Sequence, residues 1–330
     1  MIKNQSGFTL IELMISLSLG LIIVAAAISI FLTSQRSLAL QGAMGELQES
    51  ANFGLAMMTY DLRHANLNTA SAQKINNKQV GSGIIFDETK NLPLTLAGVD
   101  NSLLTKQNSD NDATTGKSDR ITIQYIPEYI EYTKKEKFDD GGVEKERDVF
   151  GGFRVNATDC EGNNLDFAEK RVIVQRYHIQ IDSQQIVGQP TIYALYCDAG
   201  NYKEGDTVID GITSSTTGQQ IMQRIDAFKI RLGVKNPDGT LKYMTINEYK
   251  NLMPASLTEE SNYYNVVSVE VGVIARSISN LNSESLIKNT KKYNLLGGEL
   301  ILNDTQKGGS KYLRGVFSQV VAFRNTLGAS

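Results

Sequence analysis

The chain has 330 residues, enough beyond its first 65 for one large or two small domains, and its 33 Lys and Arg against 36 Asp and Glu leave a formal net charge of −3. That mild acidity argues against a general phosphate binder. Two histidines and two cysteines are too few for a multi-ligand zinc site. Residues Met1 to Gly7 are short and polar, with Lys3 as the one cationic side chain. From Leu13 to Leu32 no residue is charged, and only Ser16, Ser18, Gly20 and Ser29 interrupt a run of aliphatic side chains and Phe31. About 20 such residues cross a hydrocarbon core, so a membrane-spanning helix is predicted here, with the Lys3 end cytoplasmic. Glu12 stands at the mouth of the run. Carrying a carboxylate to the bilayer centre costs on the order of 2.5–3.5 kcal/mol, so Glu12 either stays at the interface or finds a cationic partner. The order is also unlike a secretory signal, because the small residue Gly7 precedes the apolar run rather than following it.

Past Leu32, apolar residues recur at Leu40, Met44, Leu47, Ala51, Leu55, Met58, Leu62 and Ala65 in steps of three or four. This is one stripe of an amphipathic helix, with Arg36, Glu46, Glu49, Asn52 and Arg63 on other faces. The first proline is Pro93, so one helix is predicted from about Phe8 to about Ala65, ended by Asn66-Leu67-Asn68-Thr69. At about 1.5 Å per residue it would be roughly 85 Å long.

The remainder reads as strand-rich. Strands are expected at 83–86, 120–126, 172–181, 191–196, 227–234 and 266–275, from alternation and β-branched runs. Asn236-Pro237-Asp238-Gly239 is a turn signal that joins 228–234 to 241–243 as a hairpin. Residues 219–225 read as either a short helix or a strand lead-in. Residues 106–117 read as a polar loop, 133–147 as a charged exposed hairpin, and 280–311 as a long polar insertion. Cys160 and Cys197 are a candidate disulfide if this region lies in an oxidising space; the spacing alone leaves two separate buried thiols open.

Catalytic and ligand-binding patterns fall short, and neither an enzyme nor a cofactor is expected. His178 sits in a strand and His64 beside the helix stripe, both as structural residues. Gly116-Lys117-Ser118 lacks the glycine that a phosphate loop needs, since Asn111 stands there. Asp110-Asn111-Asp112 begins like a calcium loop, but Thr115 and Ile121 occupy the positions for Gly and Glu. Around Asp139, Asp140 and Glu144 a solvated charged hairpin is favoured over a calcium site. Lys134-Lys135-Glu136-Lys137 interleaves acid with base, so no specific nucleic-acid site is expected.

The segment Gly7-Phe8-Thr9-Leu10-Ile11-Glu12 resembles the class III signal of type IV pilins and pseudopilins. The resemblance implies that a prepilin peptidase cuts between Gly7 and Phe8 and N-methylates Phe8, and that Glu12 neutralises the Phe8 ammonium of a neighbouring subunit. Residues 57–65, 225–234, 266–277 and the block Arg314 to Asn325 are similar to the PilW family of minor pilins, the last as a terminal Arg-Asn strand. The implied fold is α+β: a leader at 1–7, a membrane and filament-core helix at 8–32, its amphipathic continuation at 33–66, and a β-rich head at 67–330. The implied role is that of a minor pilin which primes pilus assembly or sits at the tip, supporting twitching motility, adhesion or DNA uptake. A minor pseudopilin of a type II secretion system is the alternative. Implied partners are other minor pilins, the major pilin, the prepilin peptidase, the inner-membrane assembly machinery and a tip adhesin. The implied location is the inner membrane with the head in the periplasm, then the filament at the cell surface.

Overall fold

The computed structural model describes residues 7, 9–71, 73–96, 98–108, 118–213, 218–281, 287–288 and 292–326. A single helix, α1 (Leu10–Leu62), runs without a break through both the apolar run and the amphipathic stripe. Its apolar half is uncovered, and its hydroxyls are satisfied within the helix. Ser16 donates to the Glu12 carbonyl at 2.6 Å, and Ser18 and Ser29 donate to the carbonyls of Met14 and Ala25, each at 2.9 Å. A polar side chain that closes its own hydrogen bond is what a hydrocarbon setting demands. This half is long and apolar enough to cross a membrane.

The second half of α1 buries Ala43, Leu47, Ala51, Gly54, Leu55, Met58, Thr59 and Leu62. The predicted stripe begins too early: Met44 is 53% exposed and Leu40 37%, because the head reaches the helix only from Ala43 onward. Past Arg63 the chain turns away through Asn66 and Asn68, both at positive φ (69° and 53°), a conformation that asparagine tolerates. Asn66 then becomes a hub. Its carbonyl oxygen Oδ1 accepts from the Ser71 hydroxyl at 2.6 Å and from the Gly83 amide at 2.7 Å. A Cβ on Gly83 would lie 2.3 Å from the Asn66 nitrogen, so only glycine allows this approach. Residues 83–86 therefore form a backbone contact rather than the expected strand, with one isolated bridge from Ile84 to Ile123.

The head is built on two four-stranded antiparallel sheets. The first has the order β1 (Ile121–Tyr125), β5 (Val172–Ile181), β6 (Tyr193–Tyr202) and β7 (Gln219–Gln223). Between β1 and β5 in the chain lie β2 (Ile130–Asp140), β3 (Val143–Thr158) and β4 (Asn164–Phe167), which make a separate three-stranded sheet. Its β2–β3 arm is exposed and laced by surface pairs such as Lys135–Glu146 and Arg147–Glu136. The second four-stranded sheet has the order β13 (Tyr312–Ala322), β10 (Asn265–Asn280), β8 (Ile225–Lys235) and β9 (Leu241–Met244). The turn at Asn236 to Gly239 joins β8 to β9 as the sequence predicts. Of the stretch 219–225, Gln219–Gln223 resolve as β7, Arg224 (φ 55°) throws the chain from the first sheet into the second, and Ile225 opens β8.

The stretch 280–311 is not a featureless insertion. It holds β11 (Lys292–Leu295), β12 (Gly298–Ile301) and the one-turn helix α3 (Asp304–Lys307), while α2 (Ile246–Leu252) follows β9. Ser118 and Asp119 stitch the sheets together. The Phe228 amide donates to the Ser118 hydroxyl at 3.0 Å, and the Ile230 amide donates to the Asp119 carboxylate at 3.0 Å. The helix α1 lies against β7, β10 and β13, so it touches both sheets.

Candidate assembly site

At the start of α1, Thr9 is extended (φ −78°, ψ 150°) and caps the helix. Its amide and its hydroxyl both donate to Glu12 Oε2 at 2.8 Å, and the Glu12 amide donates back to Thr9 Oγ1 at 3.4 Å. This reciprocal box satisfies helix-end donors, and the positive end of the helix dipole favours the anion there. Its effect is to hold the carboxylate back along the helix, toward the chain's amino end, instead of out along the apolar face. Thr9 was missed by sequence reasoning, although Thr-x-x-Glu before an apolar run is a readable cap signal. Gly7 is exposed, while Phe8 and Met1 to Ser6 lie outside the described residues. So do Asp110, Asn111, Asp112, Thr115, Gly116 and Lys117.

At the other end of α1 the head grips the helix through two devices that the sequence did not announce. Gly54 permits close contact with β7: a Cβ there would lie 1.8 Å from Met222 Cγ. Beyond β13, the Asn325 side-chain amide donates to the carbonyls of Ala65 (3.1 Å) and Arg63 (3.4 Å). Those carbonyls belong to the helix end, where no further helical amide arrives to bond them. Residues Arg324–Thr326 form a 3₁₀ turn rather than the expected strand, and it is this turn that aims Asn325 at the helix.

Deeper in the second sheet, Asp226 of β8 accepts a hydrogen bond from Arg314 of β13 and faces Arg276 of β10 at 3.5 Å, all three side chains fully buried. The Arg276 guanidinium stacks on the Tyr312 ring at 5.0 Å. Each of the three PilW-like blocks from 225 onward thus contributes one charge to a single cluster. Cys160, between β3 and β4, is bonded to Cys197 of β6 with Cα atoms 6.0 Å apart, tying the three-stranded sheet to the first sheet. His178 is buried in β5. Among the described residues no group of three or more His, Cys, Asp or Glu is placed to hold a metal ion, and this covers Asp139, Asp140 and Glu144.

A long apolar-to-amphipathic helix laid on a strand-rich head, with a capped acid at its start, defines a type IV pilin-like protein. Residues 2–28 match the prokaryotic N-terminal methylation motif, and residues 176–325 match the model of the type IV pilus-assembly protein W family. The chain thus joins an N-terminal methylation motif to a region similar to the PilW family. Among solved structures it is similar to a type IV-like pilin from Thermus thermophilus, at 9% identity and a TM-score of 0.36, covering 85% of this chain and 96% of that one. No curated protein matches it.

Proposed function

We propose that this chain is a minor pilin that helps prime type IV pilus assembly or forms part of the tip complex. In this reading a prepilin peptidase removes 1–7, and 8–32 anchors the subunit in the inner membrane and then packs in the filament core. Residues 33–66 continue the rod, and 67–330 form a periplasmic head that meets other pilins. Phe8 becomes the N-methylated amino terminus, and Glu12 of one subunit pairs with the Phe8 ammonium of the next. Other minor pilins, the major pilin and the inner-membrane assembly machinery are the partners, and motility, adhesion or DNA uptake would follow from the filament.

The observation that carries this reading is the Glu12 carboxylate, held by Thr9 at the start of an uncovered apolar helix. An acid in that setting gains most from a cation supplied by another chain. The PilW match favours a pilus over the type II secretion alternative. The test is gene deletion complemented by wild type or by Glu12→Ala, scored for surface pili and twitching. The deletion and Glu12→Ala are expected to lose most pili. Normal piliation in the deletion would end the pilus reading, and lost exoprotein secretion with normal pili would move it to the secretion system.

A further inference from the structure

Beside the far end of α1 lies a cleft of about 330 Å³ that the helix-to-helix reading does not use. One wall is the last turns of α1, with Tyr60, Asp61 and His64; the floor is Tyr125, Leu67, Val155 and Leu165; Glu128 stands on the rim. The rings form a row: Tyr60 meets His64 edge-on at 5.0 Å between centroids, and His64 meets Tyr125 at 5.7 Å. Tyr60 is 60% exposed, so its ring is open to an incoming group.

The charge in this cleft has one sign apart from His64. Asp61 and Glu128 line it, Asp159 adjoins it beside Thr158, and the described residues lining it include no Lys or Arg. The Asp159 carboxylate is fixed by the backbone amides of Glu161 (2.9 Å) and Asn163 (2.8 Å). The Asp61 carboxylate accepts a hydrogen bond on Oδ2 from the Tyr177 hydroxyl at 2.7 Å. Burial raises its pKa, the Tyr177 hydrogen bond and then His64 oppose this, and the field of Asp159 adds to the rise. Asp61 is therefore a half-buried acid on the head-facing side of α1, whose other buried positions are small, apolar or threonine. An acid there is costly without a cation. The cleft residues are not arranged to hold a metal ion. A planar organic cation suits the site better, because it can lie on aromatic faces and donate to carboxylates in the same pose.

We propose that this cleft receives an arginine side chain from the head of a neighbouring pilin-type subunit. The guanidinium would stack on Tyr60 and donate to Asp61 and Glu128. The choice of a protein partner rests on the assembly reading above; the cation chemistry of the cleft does not. The far end of α1 is about 75 Å from Glu12 at 1.5 Å per residue. A contact there would select partners by their heads, independently of the apolar helices.

The full-length protein in detergent micelles, carrying 3-fluorotyrosine, is titrated with N-acetyl-arginine amide and, separately, with its uncharged isostere N-acetyl-citrulline amide. Tyr60→Phe and Tyr125→Phe assign the two signals. The arginine probe is expected to shift both, citrulline neither, and Asp61→Asn to weaken the response roughly tenfold while leaving the other tyrosine signals in place, save that of Tyr177, which bonds Asp61 directly. Equal shifts with citrulline, or none with arginine, overturn the proposal. In cells, Asp61→Asn and Tyr60→Ala are compared with Glu12→Ala for piliation. Loss with Glu12→Ala alone refutes the cleft as a subunit contact and leaves the assembly reading standing. Loss with all three, alongside arginine-specific shifts, supports the proposal.

Discussion

Asp226, Arg276 and Arg314 sit on three different strands of one sheet, and two of them are cations around one anion, all out of water. Removing one partner strands the others without solvent, so Asp226→Asn or Arg314→Met is expected to cost about 3–5 kcal/mol of head stability, measured by urea denaturation. Replacing all three with apolar residues of similar volume should cost far less. His178 and Asp119 act through pH, in opposite directions. Burial first, then Arg176 and Arg120, push the His178 pKa down to about 3 from 6.5, so on acidification the unfolded chain takes a proton that the native head refuses. Its stabilising contribution is therefore lost as pH falls from 6.5 toward 3. Asp119 is raised by burial to about 6 from 3.8, so the native head takes that proton first and gains stability as pH falls through 6. Relative to wild type, His178→Leu should gain about 1.4 kcal/mol per pH unit on acidification below pH 6.5, and Asp119→Asn should lose about as much between pH 6 and pH 4. Denaturation midpoints across that range check both signs.

The helix was legible to within a few residues at each end, though not where its buried stripe begins, because composition and period carry it: an uncharged run, then steps of three and four, with no proline. The central strands of the sheets, β5, β8 and β10, were legible for the same reason, since buried β-branched runs leave a strong pattern. The elements that were misread or missed are those whose pattern is set by neighbours. Residues 83–86 look like a strand and do bond β1 through Gly83 and Ile85, but Asn66 and Asn91 take the amides of Gly83 and Phe86, and β11, β12 and α3 are short elements inside polar sequence. The proposed processing residues Gly7 and Phe8 and the proposed assembly residue Glu12 came from a local motif, whereas the three-charge cluster and the Asn325 clamp join positions far apart in the chain. Gly54 is the helix position where this matters most. Gly→Ala inside a helix ordinarily gains about 1 kcal/mol. Here the new methyl meets Met222, itself buried, so Gly54→Ala should lower the melting temperature, and Met222→Ala in the same chain should restore part of it.

Across the whole molecule, α1 divides by burial rather than by helicity. Nothing before Ala43 in the helix is buried, so the apolar half adds no packing to the head. A chain starting at residue 33 should therefore melt at the temperature of the full-length head, read by circular dichroism, while one starting at residue 63 should fail to fold. In the second case both sheets lose the surface that Leu47, Leu55, Met58 and Leu62 cover. Under the proposed function, the same division would let one helix serve a bilayer or a filament core at one end while it packs on the head at the other.

The clamp from Asn325 to Ala65 spans 260 positions of sequence. Contacts so distant form late in folding, whereas helical turns form from local bonds within microseconds. The rod is therefore expected to form before its own upper end is closed, with closure waiting on β13 beside β10. In time, then, the state of the head would be written onto the helix: hydrogen exchange should find the last turn near Arg63 protected only once the sheet is complete.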